Sequence, residues 1–332
     1  MHSHKCPVCG QSQHFLSSPF ADAGPPVSQC VRCHSAWLDP IPSRREIKTF
    51  YPPEYYGAKT TKFITPIERL LTKISARTIT RAGKKLSPSS RVLDIGCGRG
   101  LLLRELSNRG FDTHGTELNM LADQSLSSQC TIHITDSLHS LQFPNDYFDL
   151  VIIWHVLEHV SDPQETISEI SRILSPDGQL ALAVPNFGSM QSRIFGRSWF
   201  HLDLPRHIFH FTLPGLEKLL ESNGLRVNSA NHFSLIQNSF GWVQSILNQI
   251  PGLEINYLYN LLHNHPEGSS LRLVNPIAIT HVICAALILP LALALTLAEG
   301  IARKGGTIEL IAKKPPLAPK ASQSHSPQKR TS

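Results

Sequence analysis

The stretch Arg91-Val-Leu-Asp-Ile-Gly-Cys-Gly-Arg-Gly100 constrains this chain more than any other. A short apolar run reaches an acidic residue, Asp94, and then Gly96, Gly98 and Gly100 alternate with other residues. Glycine permits a sharp turn and lets a ligand approach the backbone where a side chain would collide. The pattern reads as a buried strand running into a nucleotide-type cofactor loop. A dinucleotide fingerprint would place a further glycine at position 101, where this chain has Leu101, and that argues against a nicotinamide cofactor. Asp94 argues the same way, because a carboxylate at the strand end repels a pyrophosphate but suits a ligand carrying an ammonium and a sulfonium. Glu117, in Thr113-His-Gly-Thr-Glu117, follows at about the offset of a second strand's end and is placed to accept both hydroxyls of a ribose.

Further motifs follow in order. Asp136 comes after a strand at Thr131-Ile-His-Ile-Thr135, and Phe148-Asp-Leu-Val-Ile-Ile-Trp-His-Val-Leu-Glu-His-Val160 reads as a strand with a polar continuation. A helix is expected over 162–174 and a strand over Gly178-Gln-Leu-Ala-Leu-Ala-Val-Pro-Asn186. In this order the motifs resemble the class I S-adenosylmethionine-dependent methyltransferases, in their type 11, 12 and 23 branches, over roughly residues 60–235 with a last strand near 306–313. The resemblance implies an α/β fold: a Rossmann-like, seven-stranded methyltransferase sheet with helices on both faces. It implies S-adenosylmethionine as cofactor, held by Asp94, Gly96, Cys97, Gly98, Glu117 and Leu118, by Asp136 and Ser137 at the adenine, and by His155. Cys97 enters as a small loop residue, not as a nucleophile.

Four of the seven cysteines form Cys6-Pro-Val-Cys9 and Cys30-Val-Arg-Cys33, the spacing of a zinc ribbon. Two such turns offer four thiolates to a closed tetrahedral site, whose expected role is to fold a small module that lacks a core of its own. Cys30-Val-Arg-Cys33-His34 also fits the haem-attachment pattern formally, but the paired turns favour structural Zn2+, and the expected cytosolic compartment disfavours disulfides.

The 332 residues and 41% hydrophobic content support a substantial core. The N-terminus, polar and cysteine-bearing, shows no apolar signal run, so a cytoplasmic location is expected. The net charge of +6 is local. Basic residues concentrate in 62–85 and 313–332, and the remainder is net acidic. Residues 64–85 read as a basic amphipathic helix, either the first core helix with a solvated face or a segment lying on an anionic membrane. Before it, Tyr51-Pro-Pro-Glu-Tyr-Tyr-Gly57 is either a linker or an aromatic segment folding over the cofactor, as in related methyltransferases. The expected organisation is a ribbon over 1–40, linker and cap helix over 41–90, core over 91–235, apolar helical insertion over 236–305, last strand over 306–314 and a disordered tail over 315–332.

Ligands of an open parallel sheet sit beyond the carboxyl ends of its strands, which directs His155, Glu158 and His159 toward the transferred methyl. His155 is the candidate general base, since a neutral imidazole is poised near pH 7. Related quinone O-methyltransferases carry an E-x-x-E-H arrangement that can hold a divalent metal. Here His155 replaces its first Glu, and Glu158 and His159 read equally as helix-start residues that bond to loops. A second cluster, Phe200-His-Leu-Asp-Leu-Pro-Arg-His-Ile-Phe-His-Phe-Thr212, resembles a segment bordering the substrate cleft of ribbon-bearing methyltransferases. It nominates Arg206, His207 and His210, with His207 as a second catalytic candidate. Alternatively, one of these histidines caps a helix beginning near Pro214.

Residues 277–298 carry no formal charge and are long enough to span a bilayer. Flanking strands at 225–233 and 306–314 belong in one sheet, so a single crossing is topologically excluded. A re-entrant or interfacial hairpin broken near Pro290, with 236–262 as companion, or packing onto the domain as a lid or dimer interface, remains. The chemistry expected is methyl transfer to a small or lipid-linked acceptor in envelope polysaccharide, lipid or quinone metabolism, with peripheral or monotopic contact at the inner face of the cell membrane. Sugar C-methylation, nucleic-acid methylation and a non-catalytic cofactor-binding scaffold are the alternatives. Trp154-His155, standing where amino-group methylators carry an N-P-P-Y element, argues against nucleic acid.

Overall fold

The computed structural model describes residues 5–12, 15–17, 24–51, 86–118, 130–251, 254–262 and 275–315. The expected basic helix over 64–85 and the tail beyond 315 lie outside them.

A seven-stranded sheet forms the centre. Its strands are β4 (Arg91–Ile95), β5 (Asp112–Glu117), β6 (Thr131–Ile134), β7 (Phe148–Trp154), β8 (Leu174–Pro185), β10 (Arg226–Asn231) and β11 (Thr307–Lys313), in the order β10-β11-β8-β7-β4-β5-β6. Neighbours from β8 to β6 are parallel, and β11 is antiparallel to both β8 and β10. The near-continuous apolar runs of β7 and β8 suit strands buried on both faces. On one face Val92, Leu150 and Ile152 pack with Leu106 of helix α2 (Leu101–Ser107). On the other, Leu93, Val151 and Ile153 meet helix α3 (Pro163–Ile173) and helix α5 (Leu213–Ser222). In α3, Asp162 accepts the Glu165 N–H at 2.9 Å, Pro163 starts the helix, and Ile167, Ile170 and Ile173 recur on the buried side. Chain order reverses between β5 and β7, one on either side of β4, and this switch opens a crevice at the strands' carboxyl ends.

A second sheet joins β1 (Phe15–Ser17), β2 (Val27–Cys30) and β3 (Ala36–Leu38) to β9 (Phe209–His210), a two-residue strand supplied by the catalytic half of the chain. The cysteine module is therefore stitched to the domain. Thr212 donates to Cys33 O at 2.5 Å, its N–H donates to Ser35 Oγ at 3.1 Å, and Gln164 donates to Val8 O at 2.9 Å. Val8 and Trp37 share one apolar cluster with Leu93 and Leu216. Thr212 also caps α5, accepting the Gly215 N–H, so the helix cap expected of a histidine belongs to a hydroxyl immediately before Leu213 and Pro214.

Helices α6 (Leu235–Leu247) and α7 (Tyr257–Leu262) precede the 26-residue helix α8 (Pro276–Ile301). The expected hairpin break near Pro290 is corrected: α8 runs through it as one helix. Proline removes one N–H donor and strains one turn, but flanking Leu and Ala are strong helix formers, and residues 285–298 contain no Gly, Asn or Asp to reverse the chain.

Candidate active site

A cleft of about 310 Å³ opens at the switch between β4, β5 and β7. Gly96, Gly98, Glu117, Leu118, Asp136, Ser137 and His155 line it, so seven of the residues expected to hold the cofactor converge in space. Gly96 and Gly98 have φ of +70° and +54°, a region L side chains rarely adopt. A Cβ on Gly96 would strike Val156 at 2.5 Å, whereas one on Gly98 would enter open space, where the backbone is bare toward the cleft. Glu117 is fixed by two backbone donors, Gly98 N at 2.8 Å and Leu118 N at 2.7 Å.

Asp94 and Cys97 are not part of this wall. Cys97 turns its thiol toward Gly115, where an added Cβ would meet Sγ at 2.7 Å, and burial together with Asp94 and Glu117 pushes the thiol pKa upward. Asp94 is 5% exposed at the end of β4, and burial, then Glu117, push its carboxyl up to about 8. An unfolded Asp titrates near ~3.9, so this buried acid favours the folded state while protonated, and stability is lost as pH rises from about 4 through 8. Thermal unfolding of the ligand-free protein is expected to show that decline between pH 6.5 and 8, above the range in which the depressed His159, His201 and His210 act in the opposite direction. Asp94→Asn, an isostere of the protonated form, is expected to flatten it there, and an equal decline in the variant would remove Asp94 as its source.

One border of the cleft was not anticipated. Helix α1 (Arg44–Thr49) presents Arg44 and Ile47 to the cavity, and Lys48 forms a 2.7 Å ion pair with Asp136 that holds its carboxyl below the usual range. Arg44 pairs with Glu165, and Tyr51 Oη lies 2.7 Å from His159 Nδ1, closing the strap. A signal for α1 was present in the sequence: Ser43-Arg-Arg-Glu46 is a capping box, and both reciprocal bonds form. Of the aromatic segment expected to cover the cofactor, Tyr51 does line the cleft, and residues 52–57 lie outside the described residues.

Beyond β7 the polar residues gather. His155 lines the cleft at a φ of +54°, with Nδ1 3.4 Å from Glu158 Oε1 and Nε2 buried without a hydrogen-bond partner among the described residues. Glu158 is 1% exposed. Burial alone would raise its carboxyl, but the imidazoles of His155, His159 and His207 outweigh that and hold it at about 2. Burial pushes His159 down to about 4 and His201 and His210 to about 3, so these three rings are neutral at pH 7. His207 sits behind this group, outside the cleft wall, with Nδ1 2.7 Å from His201 O and Nε2 3.9 Å from Asp203 Oδ2. His201 and Asp203 stand inside the Phe200–Thr212 cluster, but the sequence nominated only Arg206, His207 and His210 from it. Arg206 pairs with Asp203 at 2.5 Å, and its carbonyl lies 2.9 Å from His159 Nδ1. His210 is a buried β9 residue opposite Ala36, a structural position.

Ligand atoms of Glu158, His159 and His207 lie within 4.8 Å of one another. Among the described residues neither Glu158 oxygen has a full hydrogen bond, and Nδ1 of each histidine faces a backbone carbonyl, which leaves Nε2 for ligation. One carboxylate and two imidazoles fit a divalent ion. The ribbon cysteines fit zinc on separate grounds: all four are buried, Cys6–Cys33 and Cys9–Cys30 Sγ atoms are each 3.9 Å apart, and a tetrahedron with bonds of about 2.3 Å has edges of roughly 3.8 Å.

A family model for a methyltransferase domain matches residues 67–230. The chain belongs to the class I S-adenosylmethionine-dependent methyltransferases. Among curated relatives, the ubiquinone biosynthesis O-methyltransferase of Coxiella burnetii (strain RSA 331 / Henzerling II) is 27% identical over 186 residues, covering 52% of this chain and 76% of the relative. That of Aeromonas salmonicida (strain A449) is 25% identical over 189 residues with the same coverage. Among solved structures, a putative sarcosine dimethylglycine methyltransferase from Galdieria sulphuraria aligns with a TM-score of 0.50 at 15% identity, over 82% of this chain and 99% of that one. Phosphoethanolamine N-methyltransferase 2 of Haemonchus contortus, in complex with S-adenosyl-L-methionine, aligns at 0.51 and 16% identity, over 84% and 62%. At these identities the structures speak for the fold alone. The ribbon cysteines and α8 lie outside the residues the family model matches in this methyltransferase.

Proposed function

We propose that this methyltransferase acts on a hydroxyl of a small or lipid-linked acceptor, with a quinol-type precursor as the first class to test. The observation that carries the reading is His155, a cleft-lining imidazole whose Nδ1 faces a buried carboxylate while Nε2 has no partner among the described residues. Two curated relatives named for ubiquinone biosynthesis O-methylation support the choice of acceptor class.

S-adenosylmethionine, when bound, supplies a methyl on a sulfonium that an acceptor oxygen displaces in line. Gly96 and Gly98 would let it lie against the backbone, Glu117 would accept its ribose hydroxyls, and Asp136 its adenine amino group once Lys48 yields. Alignment of two bound reactants can supply on the order of 7–11 kcal/mol, so the residues mainly orient and exclude water. His155 holds the proton that the acceptor hydroxyl gives up, and Glu158 stabilises the resulting imidazolium.

His155→Asn is expected to lower kcat by roughly 10²–10⁴-fold while S-adenosylhomocysteine still binds. The assay follows labelled methyl from S-adenosylmethionine into a prenylated catechol. An unchanged kcat would remove His155 as the base, and no transfer by cofactor-competent wild type would remove this acceptor class.

A further inference from the structure

Helix α8 is the least explained element of the described structure. Its buried positions form one narrow stripe through Ala278, His281, Ala292, Thr296 and Glu299, with Cys284, Ala285 and Ile288 half-buried or packed along it. Almost everything else on the helix is exposed and aliphatic: Ile283 is 54% exposed, Leu287 75%, Leu291 56%, Leu297 55% and Ile301 87%. Residues 276–298 contain no Asp, Glu, Lys or Arg. The exception at the helix end, Glu299, is fully buried and accepts from Gln191 at 2.9 Å. A soluble helix shows one apolar arc and an opposite polar arc, whereas apolar surface on every side marks burial in a core or in lipid. A second copy of the chain would cover one arc; acyl chains cover all of the exposed ones.

The root of the helix is basic. Met190 N–H donates to Lys304 O at 3.0 Å, which joins the start of helix α4 (Met190–Phe195) to the chain just past α8; exposed Arg193 lies within α4, and exposed Arg303 and Lys304 closely follow α8. Cations at the edge of an apolar surface complement anionic headgroups.

Topology decides how such a helix meets a bilayer. Strands β10 and β11 pair, so both ends of the 235–301 segment are rooted in one sheet. Along its length α8 is fastened to α6 through Ser239 and Thr296, 3.1 Å apart, and to α7 through Tyr257 and His281, whose rings are 4.3 Å apart. In turn α6 is tied to the domain, with Phe200 N–H donating to Ser245 Oγ at 2.9 Å and Asn248 to Ser198 O at 3.0 Å.

We propose that α8 seats this enzyme on an anionic bilayer, lying along the surface with its exposed aliphatic arc among the acyl chains and the whole catalytic domain on one side. At about 39 Å, the helix offers one long rail against the bilayer. The proposal is independent of the acceptor, since a water-soluble acceptor would leave it intact.

The test uses the full-length protein and flotation with vesicles of phosphatidylcholine, alone or mixed with phosphatidylglycerol. Wild type is expected to float, more completely with phosphatidylglycerol, and to resist stripping by high salt. Ile283→Glu combined with Leu287→Glu is expected to lower partitioning by roughly a hundredfold, about tenfold for each aliphatic side chain withdrawn from the acyl layer, while S-adenosylhomocysteine binding stays unchanged and reports an intact fold. Any of these results would overturn the proposal: wild type that stays below the vesicles, release by salt alone, or a vesicle-free dimer that the same substitutions convert to monomer, which would assign the arc to a second copy. Equal flotation of the variant would do the same.

Discussion

Glu117→Ala is expected to weaken S-adenosylhomocysteine binding by roughly a hundredfold. A hydrogen bond to a charged group contributes about 1.5–3 kcal/mol, and two ribose hydroxyls lost together reach or exceed that factor of a hundred. The carboxylate does more than await a ligand. By accepting the N–H groups of Gly98 and Leu118 it holds the glycine turn against the end of β5, so its removal also loosens the cradle. Glu117→Gln is expected to recover little, because its amide N–H2 would confront one of those two backbone donors. Calorimetric titration of both variants checks this, with thermal unfolding alongside to confirm a folded core. A dissociation constant within threefold of wild type would place the ribose elsewhere.

The second large effect is expected at the cysteine module. Purified protein should carry one equivalent of zinc by elemental analysis, and Cys30→Ser with Cys33→Ser should remove it. Structural zinc binding contributes on the order of 10 kcal/mol or more to the fold it organises. Here the loss would not stop at the ribbon. Strand β3 pairs with β9, and Thr212 holds Cys33 O and Ser35 while capping α5, so unravelling would reach the segment that carries His201, Asp203 and His207. Tm is expected to fall by at least about 10 °C, because even a third of the zinc contribution, a few kcal/mol at roughly 2–4 °C each, reaches it. Methyl transfer should suffer more than cofactor binding, because the cysteine module is bonded to Gln164 and Thr212 and not to the glycine loop. Well-folded wild type lacking zinc would overturn this assignment.

Much of this was legible in the chain. Asp94-Ile-Gly-Cys-Gly, Glu117 and Asp136 lie at successive strand ends; β4 declares itself by a local apolar run and the polar β5 by its offset from the glycine loop, so their order and the crevice could be read without coordinates. The paired cysteines were legible for the same reason: a two-residue spacer sets a local geometry. Lys48 on Asp136 was not legible, although the Ser43 to Glu46 capping box announced the helix, because an ion pair between distant segments leaves no local pattern. Nor was the convergence of Glu158, His159 and His207, which depends on how the 200–212 segment returns over β7.

Local composition thus determined the strands, the glycine turn, the two paired-cysteine turns and the apolar character of 277–298, since each rests on residues within a few positions of one another. Tertiary packing alone decided that β9 completes the sheet of the cysteine module, that Asp94 and Cys97 stand out of the cleft wall, and that α8 leaves most of its circumference uncovered. Those outcomes depend on which distant surfaces meet, a free energy summed over many weak interactions that no stretch of sequence carries by itself.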